Sequence, residues 1–262
     1  MTEMEGNELR LTPKELFIAD YIWPEASNHL VIEAFRNVDR LPFIPLDRQS
    51  SVYTDDVTQL AEGSSISQPS LVARMMDHLG LSGRGKVLEV GTASGYGAAL
   101  LSCCTSEVFT IEYNPELAQQ AEERLRLLGY QNIQVRCSDG VLGWPEEVPF
   151  DAIIVTAGAR AIPMTLIKQL AEKGRMVIPV GTHLHQLQLT VVQKETWGLL
   201  AKPAGFVNFH PLMSPYPGGW TEEMLREIRE ETEATGRQRL QALQEAVSSL
   251  GIAEEDLPTT DL

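Results

Sequence analysis

The chain has 262 residues, of which 43% are apolar and 22% charged, and its formal net charge is −15. This length suits one large α/β domain with an appendage, and the acidic excess argues against a nucleic-acid or anionic-membrane partner, because phosphate contacts need a basic surface. No signal peptide, no apolar run long enough to cross a membrane and no metal-ligand spacing of the three cysteines is present, so we predict a cytoplasmic protein without a metal.

The first 80 residues are predicted to form a helical segment that caps the functional site. Residues 1–28 are polar and predicted to be irregular, with a break at Pro24. A helix is expected from Asn28 and a second one from Pro69, where proline suits the first turn, to a stop at Gly80. The apolar face of the first helix comprises Val31, Ala34, Phe35 and Val38.

The stretch 86–97 predicts a buried strand, a glycine turn and the start of a helix. The dinucleotide pattern G-x-G-x-x-G fails here, because Ala93 and Tyr96 stand where its later glycines should be. A G-x-G-x-G pattern preceded by an acid is met by Glu89, Gly91 and Gly95, with Ala93 in the middle position. That pattern is typical of S-adenosylmethionine (SAM) sites, although such a turn can also serve packing alone.

Strands and helices then alternate along the chain. Strands are predicted over 108–112, 133–137, 150–156 and 176–180, and helices over 114–128 and 163–174. Two further strands, over 187–191 and 206–212, have no helix between them, which implies an antiparallel edge. The prediction for 81–213 is therefore a SAM-binding domain with a doubly wound, mostly parallel, seven-stranded sheet.

Residues 214–262 are predicted to form a separate acidic helical extension. Its helix is expected from 221 to about 250, with a narrow apolar stripe formed by Leu240, Leu243, Val247 and Leu250. The stripe predicts a solvated helix that packs on its own domain or on a second copy of the chain, giving a homo-oligomer. A substrate-recognition element is the alternative.

Two acids end successive predicted strands behind the glycine turn. Glu112, which precedes Tyr113, is placed to accept both ribose hydroxyls of a cofactor, and Asp139, which precedes Gly140, to accept from an adenine amino group. One such acid is usually a cap or a solvated residue, but two in register are poorly explained that way. We therefore predict that both bind the cofactor.

Several distinctive runs lie between residues 31 and 212. They are Ser65-Ile66-Ser67-Gln68-Pro69, the 87–96 turn, Asp139-Gly140 with Gly143-Trp144, the Pro-Phe-Asp-Ala-Ile-Ile-Val-Thr-Ala run at 149–157, Ile162-Pro163 and the Val-Ile-Pro-Val-Gly run at 177–181. On these runs, roughly residues 31–212 resemble the protein-L-isoaspartate O-methyltransferase family. The resemblance implies SAM as cofactor, a peptide or protein carrying isoaspartate as substrate, and a sheet whose last strands are transposed relative to most methyltransferases. It implies Ser67 as the active-site serine. From its position, Ser67 is also a candidate N-cap for the helix that opens at Pro69, and the two roles are compatible. The predicted cofactor-binding set is Ser65, Ile66, Ser67, Glu89, Gly91, Ala93, Gly95, Glu112, Tyr113, Asp139 and Gly140.

The predicted chemistry needs no general base, because an isoaspartyl carboxyl with a pKa of about 3.9 is already an anion at neutral pH. Ser67 would aim that carboxylate at the SAM methyl group. Three alternatives stay open: a relative that methylates Asp in one dedicated peptide, forming aspartimide or isoaspartate; methylation of an unrelated small molecule or RNA; and a non-catalytic SAM-binding scaffold. The extension motivates the first, and Ala93 in a glycine position motivates the scaffold. Ala61 and Ser64 also depart from the family pattern.

Overall fold

The computed structural model describes residues 11–60, 63–184 and 186–249, with positions 231, 236 and 239–249 lacking described side chains. The chain divides into two compact units, Met1–Gly219 and Trp220–Leu262. The strands are β1 Thr58–Gln59, β2 Ser65–Ile66, β3 Lys86–Val90, β4 Glu107–Glu112, β5 Ile133–Cys137, β6 Phe150–Val155, β7 Leu170–Val180, β8 Leu187–Glu195 and β9 Gly198–Val207. The helices are α1 Pro13–Phe17, which continues as a π-helical turn Ile18–Ile22, α2 His29–Asn37, α3 Pro69–Leu79, α4 Tyr96–Ser102, α5 Pro115–Leu127, α6 Met164–Gln169 and α7 Glu222–Ser249.

The seven-stranded sheet has the order β5-β4-β3-β6-β7-β8-β9. The pairs from β5 to β7 are parallel, while β8 pairs antiparallel with both β7 and β9, which confirms the predicted fold class. The chain runs from β3 outward to β5 and then returns to place β6 on the other side of β3. Open α/β sheets bind ligands at such a switch point, outside the carboxyl ends of the strands.

Both faces of the central strands β3, β4 and β6 are buried, as a doubly wound fold requires. Successive residues of β3 face opposite sides, so Val87 belongs to one apolar cluster and Leu88 and Val90 to the other. The first cluster also holds Phe35 of α2, and the second holds Leu166 of α6. Helices therefore cover each face, which holds the strand ends at one edge in fixed positions.

The predicted N-terminal helices are confirmed, but the irregular segment before them is partly helical. Thr12 caps α1 in a capping box with Glu15, and Pro13 occupies the first turn, so the start signals were present in the sequence. Asn28 caps α2 as predicted, and Gly80 ends α3 with a left-handed backbone conformation.

Two predicted boundaries near the end of the sheet are wrong. The helix after Pro163 ends at Gln169, not at Gly174, because β7 begins at Leu170 and a bulge between the pairs Phe150–Leu170 and Ala152–Arg175 absorbs the polar residues. The last strand is β9 and not 206–212. As an edge strand, β9 is almost fully exposed and lacks the apolar alternation that locates a half-buried strand.

The C-terminal unit contains α7, close to the helix predicted over 221–250. The side chains of the predicted stripe, at Leu240, Leu243, Val247 and Leu250, lie outside the described residues, so the stripe stays a prediction and the homo-oligomer gains no support. The division at residues 80 and 213 also stays a prediction. Among the described residues, no helix has both the length and the apolar character that a membrane span requires.

Candidate active site

The glycine turn after β3 has the backbone conformation that its glycines allow. Gly91 and Gly95 have φ values of 105° and 87°, and Ala93 between them has a φ of 47°. A Cβ at Gly91 would collide with Oγ1 of Thr156, which donates a 2.8 Å hydrogen bond to the carbonyl oxygen of Gly91. Only glycine therefore fits at Gly91, whereas Ala93 adopts a left-handed conformation that is strained for a residue with a side chain.

Glu112 joins the glycine turn to the end of the neighbouring strand β4. Its Oε2 accepts a hydrogen bond from the backbone N–H of Ala93 at 2.8 Å, and its Oε1 accepts from that of Asn114 at 3.0 Å. The side chain is 9% exposed, while that of Tyr113 is 55% exposed. Each carboxylate oxygen keeps a second lone pair, so the fixed carboxylate could accept two hydroxyl groups of a ligand.

Asp139 follows β5, the next strand outward. Its Oδ1 accepts from the N–H of Val141 at 2.9 Å, and its Oδ2 accepts from the hydroxyl of Ser214 at 2.7 Å. Gly140 is buried, and a Cβ there would collide with the side chain of Val90. The sheet thus places Gly91, Glu112 and Asp139 at the carboxyl ends of three adjacent strands, as the sequence predicts.

Glu89 supports the turn from within the protein, since its side chain is 1% exposed. It accepts a 2.6 Å hydrogen bond from Thr110, whose hydroxyl lies 2.6 Å from that of Thr92 in the turn. Burial raises the pKa of Glu89 to about 8, and the nearby Glu112 adds to the rise. Glu89 is therefore largely uncharged at pH 7. Its hydrogen bond to Thr110, which in turn contacts Thr92, connects it to the turn.

Ser67 lies directly after β2, the strand of the small hairpin in which Ser65 pairs with Gln59. Ser65 and Ser67 are half-buried and Ile66 is 5% exposed. The capping role considered for Ser67 is wrong, because Gln68 is the N-cap of α3 and makes no side-chain cap bond. Within the described residues the Ser67 hydroxyl makes no hydrogen bond, so its donor is available to a ligand.

Asp55 performs the capping that the sequence analysis considered for Ser67. Its Oδ1 accepts from the backbone N–H of Ser70 at 2.8 Å, and its Oδ2 accepts from the side-chain amide of Gln68 at 2.7 Å. Pro69 has no N–H, so Ser70 supplies the first free donor of the helix. Asp55 therefore fixes the residues on the C-terminal side of Ser67.

Arg40 fixes the loop that carries Asp55. It is 1% exposed, donates to the carbonyl oxygens of Val52 at 2.8 Å and Thr54 at 3.2 Å, and its guanidinium lies 5.7 Å from the ring centre of Tyr96. Burial lowers its pKa from the usual arginine value. The sequence analysis missed Arg40 and Asp55. The only local sign of this arrangement was the pair of acidic residues at 55–56, which is hard to tell from the acids of an ordinary polar loop.

No group of three or more His, Cys, Asp or Glu side chains in the described part of the chain could hold a metal ion. The candidate site residues are a strained glycine turn, two hydrogen-bonded carboxylates and, in a separate segment, Ser67, whose hydroxyl has no partner among the described residues. The turn and the carboxylates can bind a polar, hydroxyl-bearing ligand, and the Ser67 hydroxyl can donate to an acceptor group. It provides donors and acceptors for orientation, and the mechanism it suits is one of positioning.

Comparisons with known proteins identify the family of the chain. The family model described as protein-L-isoaspartate(D-aspartate) O-methyltransferase matches residues 24–215. A relative named protein-L-isoaspartate O-methyltransferase 1, from Syntrophobacter fumaroxidans, is 45% identical over 190 residues, which are 72% of this chain and 87% of the relative.

Two solved structures resemble the chain. One, a protein-L-isoaspartate O-methyltransferase, is 29% identical with a TM-score of 0.69, over 79% of this chain and 67% of that one. The other, from Plasmodium falciparum and solved in complex with S-adenosyl-L-homocysteine, shares the fold at 22% identity and a TM-score of 0.67, over 78% of this chain and 99% of that one. On the family match and the relative's identity, the chain belongs to the protein-L-isoaspartate(D-aspartate) O-methyltransferase family.

Proposed function

We propose that this protein transfers the methyl group of SAM to the free carboxylate of L-isoaspartyl residues in peptides and proteins. The observation that carries the proposal is the family match over residues 24–215, which includes both the Ser67 segment and all three strand ends of the site. The methyl ester would then collapse to a succinimide, which hydrolyses partly back to aspartate, as a repair reaction requires.

The residues at the strand ends fit SAM. Glu112 has two fixed acceptor oxygens for the two ribose hydroxyls, and Asp139 has acceptor capacity for the adenine amino group. Gly91 has no Cβ and takes up a positive φ without strain, so the backbone of the turn is open to a ligand at that residue. We assign to the cofactor site the predicted residues Ser65, Ile66, Ser67, Glu89, Gly91, Ala93, Gly95, Glu112, Tyr113, Asp139 and Gly140. Glu89 is 1% exposed, so we assign it the part of a buried support of the turn.

When bound, SAM would supply a methyl group attached to a positively charged sulfur. The carboxylate oxygen would bond to the methyl carbon, and the electron pair of the broken carbon–sulfur bond would stay on the sulfur. The protein's part is to bring the carboxylate into line. The acceptor carboxyl is ionised at neutral pH, so no residue has to remove a proton. Ser67 donates its hydroxyl proton in a hydrogen bond to one carboxylate oxygen and leaves the other free to react. Orientation of this kind can contribute about 7–11 kcal/mol.

The alternatives have no comparable support. The matched relatives are named as isoaspartate methyltransferases, and no described feature of the site favours a dedicated Asp-containing peptide, a small molecule, RNA or a non-catalytic scaffold. The cytoplasmic location stays a prediction from the sequence.

The proposal is tested by methyl transfer from SAM to two peptides of one sequence that carry either isoaspartate or aspartate. We expect transfer to the isoaspartyl peptide only, and about a 10–100-fold lower kcat/KM in Ser67→Ala. The rate–pH profile should keep its shape, because no titrating base is lost. Ser102→Ala is the matched control, since that hydroxyl donates to the carbonyl of Ala99 inside α4. Preferential transfer to the aspartyl peptide would refute the proposal.

A further inference from the structure

A segment after the last strand is bound to the backbone that leaves β6. We call residues 210–219 the crossover segment. Near its start, the N–H of Gly158 donates to the carbonyl oxygen of His210 at 2.7 Å, and the N–H of Leu212 donates to the carbonyl oxygen of Gly158 at 2.8 Å. Near its end, the N–H of Arg160 donates to the carbonyl oxygen of Gly218 at 2.9 Å. Both ends of the crossover segment are therefore hydrogen-bonded to the residues that follow β6.

Ser214 lies in the middle of the crossover segment and is 3% exposed. Its hydroxyl oxygen accepts from the N–H of Tyr216 at 3.1 Å and lies 2.7 Å from Oδ2 of Asp139. A hydroxyl has one proton, and the N–H of Tyr216 can only donate. The Ser214 proton must therefore point to Asp139, which makes this a charge-assisted hydrogen bond of fixed direction.

The two oxygens of Asp139 are thus held by different parts of the chain. Oδ1 is bound by Val141, two residues further along, and Oδ2 by Ser214, which is 75 residues away in sequence. With a donor on each oxygen, the plane of the carboxylate cannot rotate without losing a bond. The lone pairs of Asp139 that these two bonds leave unused therefore point in fixed directions.

We propose that Ser214 is a positioning residue that orients the Asp139 carboxylate to recognise the amino group of adenine, so that the crossover segment contributes to base specificity. This inference rests on the proposed function, in which Asp139 meets the adenine. A carboxylate held in this way attracts the 6-amino group of adenine and repels a 6-oxo group, since both the carboxylate and the oxo group are acceptors. Without the Ser214 bond, Asp139 could turn away from a 6-oxo base, and the discrimination would fall.

Calorimetry tests this with two ligands, S-adenosyl-L-homocysteine and its S-inosyl analogue, which has a 6-oxo group in place of the amino group. The wild-type protein should bind the adenosyl compound more tightly. In Ser214→Ala the ratio of the two affinities should fall about tenfold, as expected for one lost hydrogen bond to a charged group. Ser214→Cys, with a weaker donor of similar size, should give an intermediate ratio and serves as the second variant where the alanine variant folds poorly.

Thr105→Val is the matched control. Thr105 is 6% exposed and donates to the carbonyl oxygen of Gly85 at 2.6 Å, before β4 begins and so at the opposite edge of the sheet from the site. This variant should lose stability without a change in the affinity ratio. An unchanged ratio in both Ser214 variants would overturn the inference alone. Failure of the wild-type protein to bind S-adenosyl-L-homocysteine would overturn the proposed function and this inference with it.

Discussion

The backbone of Ala93 offers a direct test of how the glycine turn is built. A left-handed conformation costs a residue with a side chain about 1–2 kcal/mol, and Ala93 has a φ of 47°. Ala93→Gly removes that cost but gives the unfolded chain more freedom, which opposes folding by about 0.4–1 kcal/mol. We therefore expect a net gain of about 0.8 kcal/mol in the free energy of unfolding, within the range of about 0–1.6 kcal/mol that the two terms allow. The hydrogen bond from the Ala93 N–H to Glu112 does not involve the methyl group and should persist.

The assay combines urea unfolding with calorimetry of S-adenosyl-L-homocysteine binding. Lys173→Gly is the matched control, because Lys173 is exposed in the bulge of β7 and has a φ of 63°. Both variants should gain stability. Ligand affinity should be unchanged or tighter in Ala93→Gly and unchanged in Lys173→Gly. A large loss of affinity in Ala93→Gly would refute the reasoning, since it would mean that the methyl group packs productively in the site.

Four further predictions follow from the site. Glu112→Ala should weaken S-adenosyl-L-homocysteine binding by about 1.5–3 kcal/mol in calorimetry, the range for hydrogen bonds to a charged group. Asp55→Ala should lower the free energy of unfolding by about 1 kcal/mol through the lost cap of α3, and should reduce kcat/KM for an isoaspartyl peptide more than it reduces cofactor affinity. The free energy of unfolding of the wild-type protein should fall as the pH rises from about 5 to 8, because the native state keeps a proton on Glu89 that the unfolded chain releases. The slope is at most about 1.4 kcal/mol per pH unit, and urea unfolding at several pH values measures it. Glu89→Gln should remove this slope. A chain ending after Gly219 should fold and bind the cofactor product in the same calorimetric assay, since the crossover segment stays complete.

Each of these has a distinct contradicting result. Unchanged affinity in Glu112→Ala would remove the ribose assignment, and equal losses of cofactor affinity and kcat/KM in Asp55→Ala would mean that Asp55 does not act through the Ser67 segment. A pH slope that persists in Glu89→Gln would place its origin in another group. An insoluble shortened chain would show that the unit ending at Gly219 depends on residues 220–262.

The sequence by itself determined the fold class, the parallel strands, the glycine turn and the resemblance to the family. Buried strands appear as short apolar runs, helix ends are marked by Asn28, Pro69 and Gly80, and a chain that alternates strand and helix has few topologies open to it. These signals are local, so they survive without knowledge of the fold. Because parallel strands end at one edge, the positions of Glu112 and Asp139 in the sequence were enough to predict that they share that edge.

Only the tertiary structure decided what each of those side chains touches. Local patterns suggested Ser67 as a helix cap, yet Asp55 takes that role from a separate loop, and the serine hydroxyl has no partner among the described residues. Ser214 reaches Asp139 across 75 residues, and the sequence analysis placed a strand boundary just before it. Such contacts depend on how two distant segments approach each other, and the free energy that fixes them comes from the packing of the whole unit. No periodicity, cap or spacing in the sequence carries that information.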